Sequence, residues 1–258
     1  MKKTLGCLAV PPLLISSTGP VLAGSARDAL VVKFANCTEF VGIAPVDEAK
    51  ARDLVPAGYQ LVTDGTGAML VVRVADCDGV TVGRNKAWPG RVAQIGLMVV
   101  SPDGTGTDPN TAINNYTLTY ASNSPALVNG LRRYGVPASL DTRLAYDAAP
   151  AAGPGELYAA IAPSTPGAVT WFLHGTVNTP QVPTKFLANW WFQSDARGEA
   201  KMATDIQAIA FDFTSQVSFY TSRQNPIGAL IGASHIASFP LSFRGQFAEG
   251  VMTVSLPR

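Results

Sequence analysis

The chain has 258 residues, 47% of them apolar and 14% charged, with 24 glycines and 19 prolines. An average domain is about a quarter charged, so this is an ordered, turn-rich globule with a lightly charged surface, long enough to bury a sizeable core unaided. The formal charge is +1 with lysine and arginine scattered along the chain, which excludes the basic footprint that nucleic-acid binding requires.

In chain order, Lys2 and Lys3 precede an apolar run over residues 5–15, and Val21-Leu22-Ala23 then offers a small-residue cleavage site ahead of Gly24. This is the pattern of a secretory signal peptide. Residues 1–23 are therefore expected to be removed, leaving residues 24–258 as a single domain that is secreted or periplasmic. The apolar run is shorter than the roughly 20 residues that span a bilayer, and no later segment is apolar for long enough, so no membrane span is expected. Losing Lys2 and Lys3 from 19 basic residues, against 18 acidic ones, takes the net charge to −1. Cys7 leaves as well. The remaining Cys37 and Cys77 are expected to pair in an oxidising compartment. Their bond would close a loop of about 40 residues and stabilise by about 3–4 kcal/mol on chain entropy. Two separately buried thiols are the other reading.

A first strand is expected over residues 30–34, and a short amphipathic helix over 46–55, preceded by Pro45 and stopped by Pro56. Residues 60–63 and 68–74 read as strands joined by the turn Asp64-Gly65-Thr66-Gly67. Strands are expected over 92–101 and 116–121, with a polar loop over 102–112 between them. Residues 124–134 read as a helix with Gly135 as its C-cap. Beyond Pro137, strands are expected over 140–145, 156–162, 168–173, 201–213, 216–220, 236–247 and 251–256, with a loop over 148–155 and a short helix over 226–233. Many strands and few short helices define an α+β chain, mainly antiparallel, built on a closed barrel or curved sheet.

The sequence lacks a Gly-x-Ser-x-Gly elbow, a His-Glu-x-x-His pair, a phosphate-binding loop and a dinucleotide fingerprint. Two histidines do not make an ordinary zinc site, and the aspartates at 76–78 and 103–108 supply too few oxygen ligands for calcium. No metal and no cofactor are expected. Asn36-Cys37-Thr38 and Asn115-Tyr116-Thr117 are glycosylation sequons, meaningful only in a eukaryotic host. Trp190-Trp191 reads as core or barrel lining, or as an aromatic platform for a ligand, and His174 as a hydrogen-bonded structural residue.

The segment Asn129-Gly130-Leu131-Arg132-Arg133-Tyr134-Gly135-Val136-Pro137-Ala138-Ser139 resembles the acetoacetate decarboxylase family, in which a helix carrying Gly-Arg-Glu leads at the same spacing to an aromatic-Pro-Lys-Lys motif. The helix entry Ser122-Asn123-Ser124-Pro125-Ala126 is similar to that family too, as is the short helix running into Leu54-Val55-Pro56. So are Asn225-Pro226-Ile227-Gly228-Ala229-Leu230 and the following Ala233-Ser234-His235-Ile236. The landmarks fall in the family's order over most of the chain. The resemblance implies one domain with a closed antiparallel barrel around a cavity.

The departures bear on mechanism. The family's decarboxylases form a Schiff base through a lysine of that pair, made nucleophilic by a depressed pKa. Ala138 and Ser139 stand at the matching positions, and neither carries an amine. Arg132 stands where the family has glutamate, while a looser alignment places Arg91 near the family's active-site carboxylate and Pro45 near its arginine. Lys201, on an expected strand, is the lysine to consider if it points inward; a surface lysine is the bland alternative.

Three functions follow. The first is an exported binding protein whose barrel holds a small organic ligand, a carboxylate or an apolar molecule, without Schiff-base decarboxylase activity. Arg91 and Arg132 would grip a carboxylate, and Ser139, Trp190, Trp191, Glu199 and Lys201 would contribute to the cavity. The second is a lysine-independent lyase, hydratase or cyclase acting on an oxo-acid or polyketide-like compound, with His235 as general acid/base and Glu199 or Glu156 assisting. The third is a structural protein whose barrel is filled by side chains.

Overall fold

The structure is a computed structural model that describes residues 29–149 and 154–257. The expected signal peptide and part of the 148–155 loop lie outside the described residues. The elements run β1 (Leu30–Val46), α1 (Glu48–Leu54), β2 (Ala68–Val82), β3 (Trp88–Met98), β4 (Ala112–Ser122), α2 (Pro125–Arg133), β5 (Ala138–Leu140) and β6 (Ala145–Ala149), continuing with β7 (Gly155–Ile161), β8 (Trp171–Val177), β9 (Pro183–Ser194), β10 (Gly198–Asp212), β11 (Gln216–Thr221), α3 (Pro226–Ile231), β12 (His235–Ile236) and β13 (Leu241–Ser255).

Strands β3-β2-β1-β13-β10-β9-β4 form a barrel that closes where β3 pairs with β4. All its pairings are antiparallel except β4 with β9. A second sheet, β12-β11-β8-β7-β6, covers part of the outside. The two faces of the barrel wall therefore belong to two apolar clusters. Val41, Ile43, Val71, Trp190 and Phe243 fill the inside. Phe40, Val72, Val74 and Ile95 face outward onto Leu157, Leu173 and Phe219 of the second sheet. Burial on both faces erases the apolar/polar alternation that marks a half-exposed strand.

A phase shift explains where the strand expectations fall short. In β1 the inward residues change from Val32 and Phe34 to Cys37, Val41 and Ile43 across Asn36, whose φ is 48°. The same change occurs in β13 between Phe247 and Met252, and in β10 at the bulge between Ile206 and Ile209. In β10 a bulge against β9 breaks the period of two, whereas β1 changes face with its register against β2 and β13 unbroken; in both cases the strand continues. Hence β1 runs on past residue 34 to Val46, and from Leu241 on the two strands expected at 236–247 and 251–256 are the single β13, with Ile236 in the separate two-residue β12. Residues 60–63 make only isolated bridges, Leu61 to Val99 and Thr63 to Ala68. Residues 141–144 are a turn between β5 and β6, and β9 stands where no strand was expected.

The helices follow their local chemistry. Asp47, Ser124 and Asn225 each accept a hydrogen bond from a backbone N–H of the first turn of α1, α2 and α3, the arrangement that satisfies a helix's orphan donors. Helix α2 closes one end of the barrel, with Leu127, Val128 and Leu131 in the inner cluster and Gly130 against Leu30 and Val82. Cys37 and Cys77 are register partners on β1 and β2 and are disulfide-bonded. No helix of the described residues is long and apolar enough to cross a membrane.

Candidate functional site

The end of the barrel away from α2 is open. Its mouth is a cavity of about 870 Å3 whose walls include Ile43, Met69, Met98, Ile113, Phe186 and Phe243. This volume lies within the range of ligand pockets. Phe211 stands edge-on to Phe186 and Phe243, with centroids 5.2 and 4.9 Å away. At the rim Phe213, Val182 and Leu241 are 62%, 81% and 46% exposed. Asp212 builds the rim turn, accepting hydrogen bonds from the Thr214 backbone N–H and hydroxyl and from the Ser215 hydroxyl.

Midway down the barrel lies a buried polar cluster. Arg73 donates from Nε to Glu39 Oε2 at 2.8 Å and from Nη1 to Gln94 Oε1 at 2.7 Å, while Nη2 lies 2.6 Å from the same glutamate oxygen. The two charged side chains are 11% and 4% exposed. Gly245 makes room for the pair, since a Cβ there would lie 2.9 Å from Glu39 Cγ. Tyr120 is buried nearby, and burial pushes its phenol pKa up. Asn115 and Trp190 complete this level from β4 and β9, and Ala138 belongs to the same inner cluster.

A second cavity, of about 460 Å3, lies outside the barrel between β4, the β7–β8 loop and α3. Ser139, Tyr116, Thr117, Phe192, Trp171 and Ile227 are among its walls.

The structure separates the residues singled out from sequence. Trp190 points into the barrel and Trp191 out of it, as alternation along β9 requires. Ser139 lines the outer cleft. Arg91 is tied to Asp76 Oδ1 at 2.9 Å and to the Leu144 carbonyl at 3.1 Å. Arg132 is exposed and donates to the Ala138 carbonyl at 2.7 Å, holding the turn after α2. Neither arginine lines the mouth or the cleft. Glu199 accepts a hydrogen bond from the Tyr59 hydroxyl at 2.5 Å, and burial together with this carboxylate pushes the Tyr59 phenol up. His235 is exposed at the edge of the second sheet, stacked on Tyr220, and lines neither cavity; His174 is exposed as well.

Lys201 lies on the outer face of β10. Its ammonium sits 4.8 Å from the Trp191 ring and donates to Asp103 and to Thr105, each at 2.6 Å. Burial alone would raise Asp103, but the hydrogen bonds from Lys201 and Thr105 outweigh it and hold the carboxyl at about 2, below the ordinary 3.8. A depressed carboxyl stabilises the fold fully above its unfolded value and loses that contribution as pH falls through the folded value. The stability difference between the wild-type chain and Asp103→Asn is therefore expected to shrink as pH drops from about 4 to about 2, measured by urea unfolding across that range.

Sequence reasoning missed Glu39, Arg73 and Gln94, and it singled out Asn115 only as a glycosylation sequon, whereas Asn115 is fully buried in the barrel. The available signal was a lone arginine in the run Leu70-Val71-Val72-Arg73-Val74 and a lone glutamate before Phe40-Val41-Gly42-Ile43, because a charge inside an apolar strand needs a buried partner.

The fold and these cavities define a class: a closed barrel, plugged by a helix at one end and open through an apolar mouth at the other, with a second sheet on its flank. Solved structures with a similar fold include the acetoacetate decarboxylase of Legionella pneumophila, to which the chain is 12% identical over 96% of both chains with a TM-score of 0.51. An acetoacetate decarboxylase-like enzyme of Sphingomonas wittichii RW1 is 12% identical over 89% of this chain and 92% of that one, with a TM-score of 0.55. A further acetoacetate decarboxylase structure is 9% identical over 87% of this chain and 86% of that one, with a TM-score of 0.52. The chain has the acetoacetate decarboxylase-like fold. No family model matches the sequence, and no curated protein matches it.

Proposed function

We propose that this is an exported protein that binds a small apolar organic ligand in the mouth of its barrel and does not carry out Schiff-base decarboxylation. The observation that carries the reading is the apolar cavity of about 870 Å3 at the open end. Its lining holds no lysine, and the lysines of the described residues are exposed or, for Lys201, face outward. Alanine and serine at 138 and 139 remove the imine route from the positions that resemble the family's lysine pair. The placement of His235 outside both cavities supports binding over lysine-free acid/base catalysis, since a general base must come within reach of the reacting proton. Export is supported by the N-terminal pattern and by the disulfide, which suits an oxidising compartment. Export with cleavage at Ala23 leaves a recovered protein whose intact mass begins at Gly24.

The test uses the apolar fluorescent probe 1-anilinonaphthalene-8-sulfonate. Saturable one-to-one binding is expected, weakened by about tenfold or more when Met69→Trp fills the mouth, as loss of a ligand's apolar contacts implies. Borohydride added with acetoacetate or pentane-2,4-dione is expected to leave the intact mass unchanged. Probe binding insensitive to Met69→Trp sinks the cavity reading, and a stoichiometric trapped adduct sinks the exclusion of imine chemistry.

A further inference from the structure

Three buried polar atoms without a hydrogen-bond partner among the described residues belong to residues that line one void inside the barrel: Asn115 Nδ2, Asn115 Oδ1 and Trp190 Nε1. Asn115 is fully buried and Trp190 is 2% exposed. The two are register partners on β4 and β9, and both line a void of about 20 Å3 with Glu39 and Arg73. Buried donors and acceptors are almost always paired, because leaving one unpaired forfeits its hydration. These groups are therefore poised for something that enters the void. The mouth adjoins the void: Ile113, Phe186 and Phe243 line both spaces, so a ligand that reaches from one into the other does so by parting these side chains.

Size and charge select what fits. One water-sized atom needs roughly 10–15 Å3, so the void takes a single oxygen and has no room for a carboxylate with its second oxygen. The Arg73 charge is already matched by Glu39, and its Nη1 is taken by Gln94. The unpaired groups on the residues that line the void are one neutral amide and one neutral N–H. We infer that the barrel recognises apolar compounds carrying one uncharged oxygen, a ketone or a primary alcohol. The oxygen sits between Asn115 and Trp190 and the apolar body lies in the aromatic mouth. A ketone accepts from Trp190 Nε1–H and Asn115 Nδ2–H; an alcohol accepts from Trp190 and donates to Asn115 Oδ1. The inference rests on the mouth being the ligand cavity.

The experiment compares four probes with one phenylalkyl body: butylbenzene, 4-phenylbutan-2-one, 4-phenylbutan-1-ol and 4-phenylbutanoate. Affinities come from calorimetry, and the hydrogen bond is read from the tryptophan indole N–H resonances of the 15N-labelled protein. The ketone and the alcohol are expected to bind roughly tenfold tighter than butylbenzene, the worth of one buried hydrogen bond that is otherwise unmade. Both are expected to move the Trp190 indole resonance, identified by its absence in Trp190→Phe. Asn115→Leu and Trp190→Phe abolish the preference and keep butylbenzene binding. Equal affinity for butylbenzene and the ketone, tightest binding of the carboxylate, or an unmoved Trp190 resonance (an ordered water only) overturns the inference while the cavity reading stands. If butylbenzene fails to bind as well, the cavity reading falls first. The ranking and the resonance shift in the wild-type protein decide the matter even where a variant does not fold.

Discussion

Arg73→Ala is expected to destabilise the protein by about 3–5 kcal/mol, the cost of leaving one member of a buried ion pair without its partner. Glu39 is 3% exposed, and Arg73 supplies its contacts at 2.6 and 2.8 Å. Without the arginine a carboxylate stands in the barrel with no cation, and Gln94 Oε1 loses its donor. The midpoint of urea unfolding at pH 7 measures the loss, and comparison with the double variant Arg73→Met/Glu39→Leu explains it. Removing both charges takes away the attraction and both desolvation costs together, so the double variant is expected to be far more stable than Arg73→Ala and close to the wild-type chain. If the double variant is as unstable as the single one, shape rather than charge is what the pair provides. Probe binding at the mouth in the double variant then shows whether the cluster only braces the barrel or also sets the floor of the cavity.

The second large effect concerns the disulfide. Cys37→Ala/Cys77→Ala is expected to lose about 3–4 kcal/mol, from the conformational freedom that the unfolded chain regains once the loop is open. The two cysteines are 40 residues apart in sequence and directly opposed across β1 and β2. Both face the barrel interior and are at most 3% exposed. Dithiothreitol is therefore expected to reach the bond only in denaturant, followed by the mass gain on alkylation with and without urea. Rapid reduction of the native protein would mean that this part of the wall opens locally without global unfolding. The ion pair and the disulfide tie the same two strands, so the variants are not expected to be strictly additive.

Much of the local structure was legible from sequence because it depends on neighbours in the chain. Ser124 before Pro125 and Asn225 before Pro226 mark helix starts through a side-chain oxygen and a fixed φ. Gly135 at φ 86° follows α2 as expected, because a residue without a Cβ adopts that backbone freely, whereas Gly232 at φ 70° ends α3 inside the span 226–233 expected as helix. The pairing of Cys37 with Cys77 needed only a count of thiols. The order of helix and turn landmarks was enough to point to the fold.

The site was legible only in part. Trp190 and Trp191 are adjacent, and alternation says that they face opposite ways; which one enters the barrel depends on the register of β9 against β4 and β10. Lys201 lies on a strand as expected, yet that same register turns it outward onto Trp191. Arg91 and Arg132 line neither cavity, and contacts with Asp76, Leu144 and Ala138 hold them as structural ties.

The sequence by itself determined what short-range chemistry decides: the caps, the turns, the candidate disulfide and the absence of lysine at 138 and 139. Only the tertiary structure decided which side of each strand is inside. A period of two distinguishes two faces without naming them, and here both faces are buried, so hydrophobicity carries no label. The mouth, the Glu39–Arg73 pair and the unpaired Asn115 and Trp190 are juxtapositions across strands far apart in sequence. They exist because β3 meets β4 and β4 meets β9 when the barrel closes.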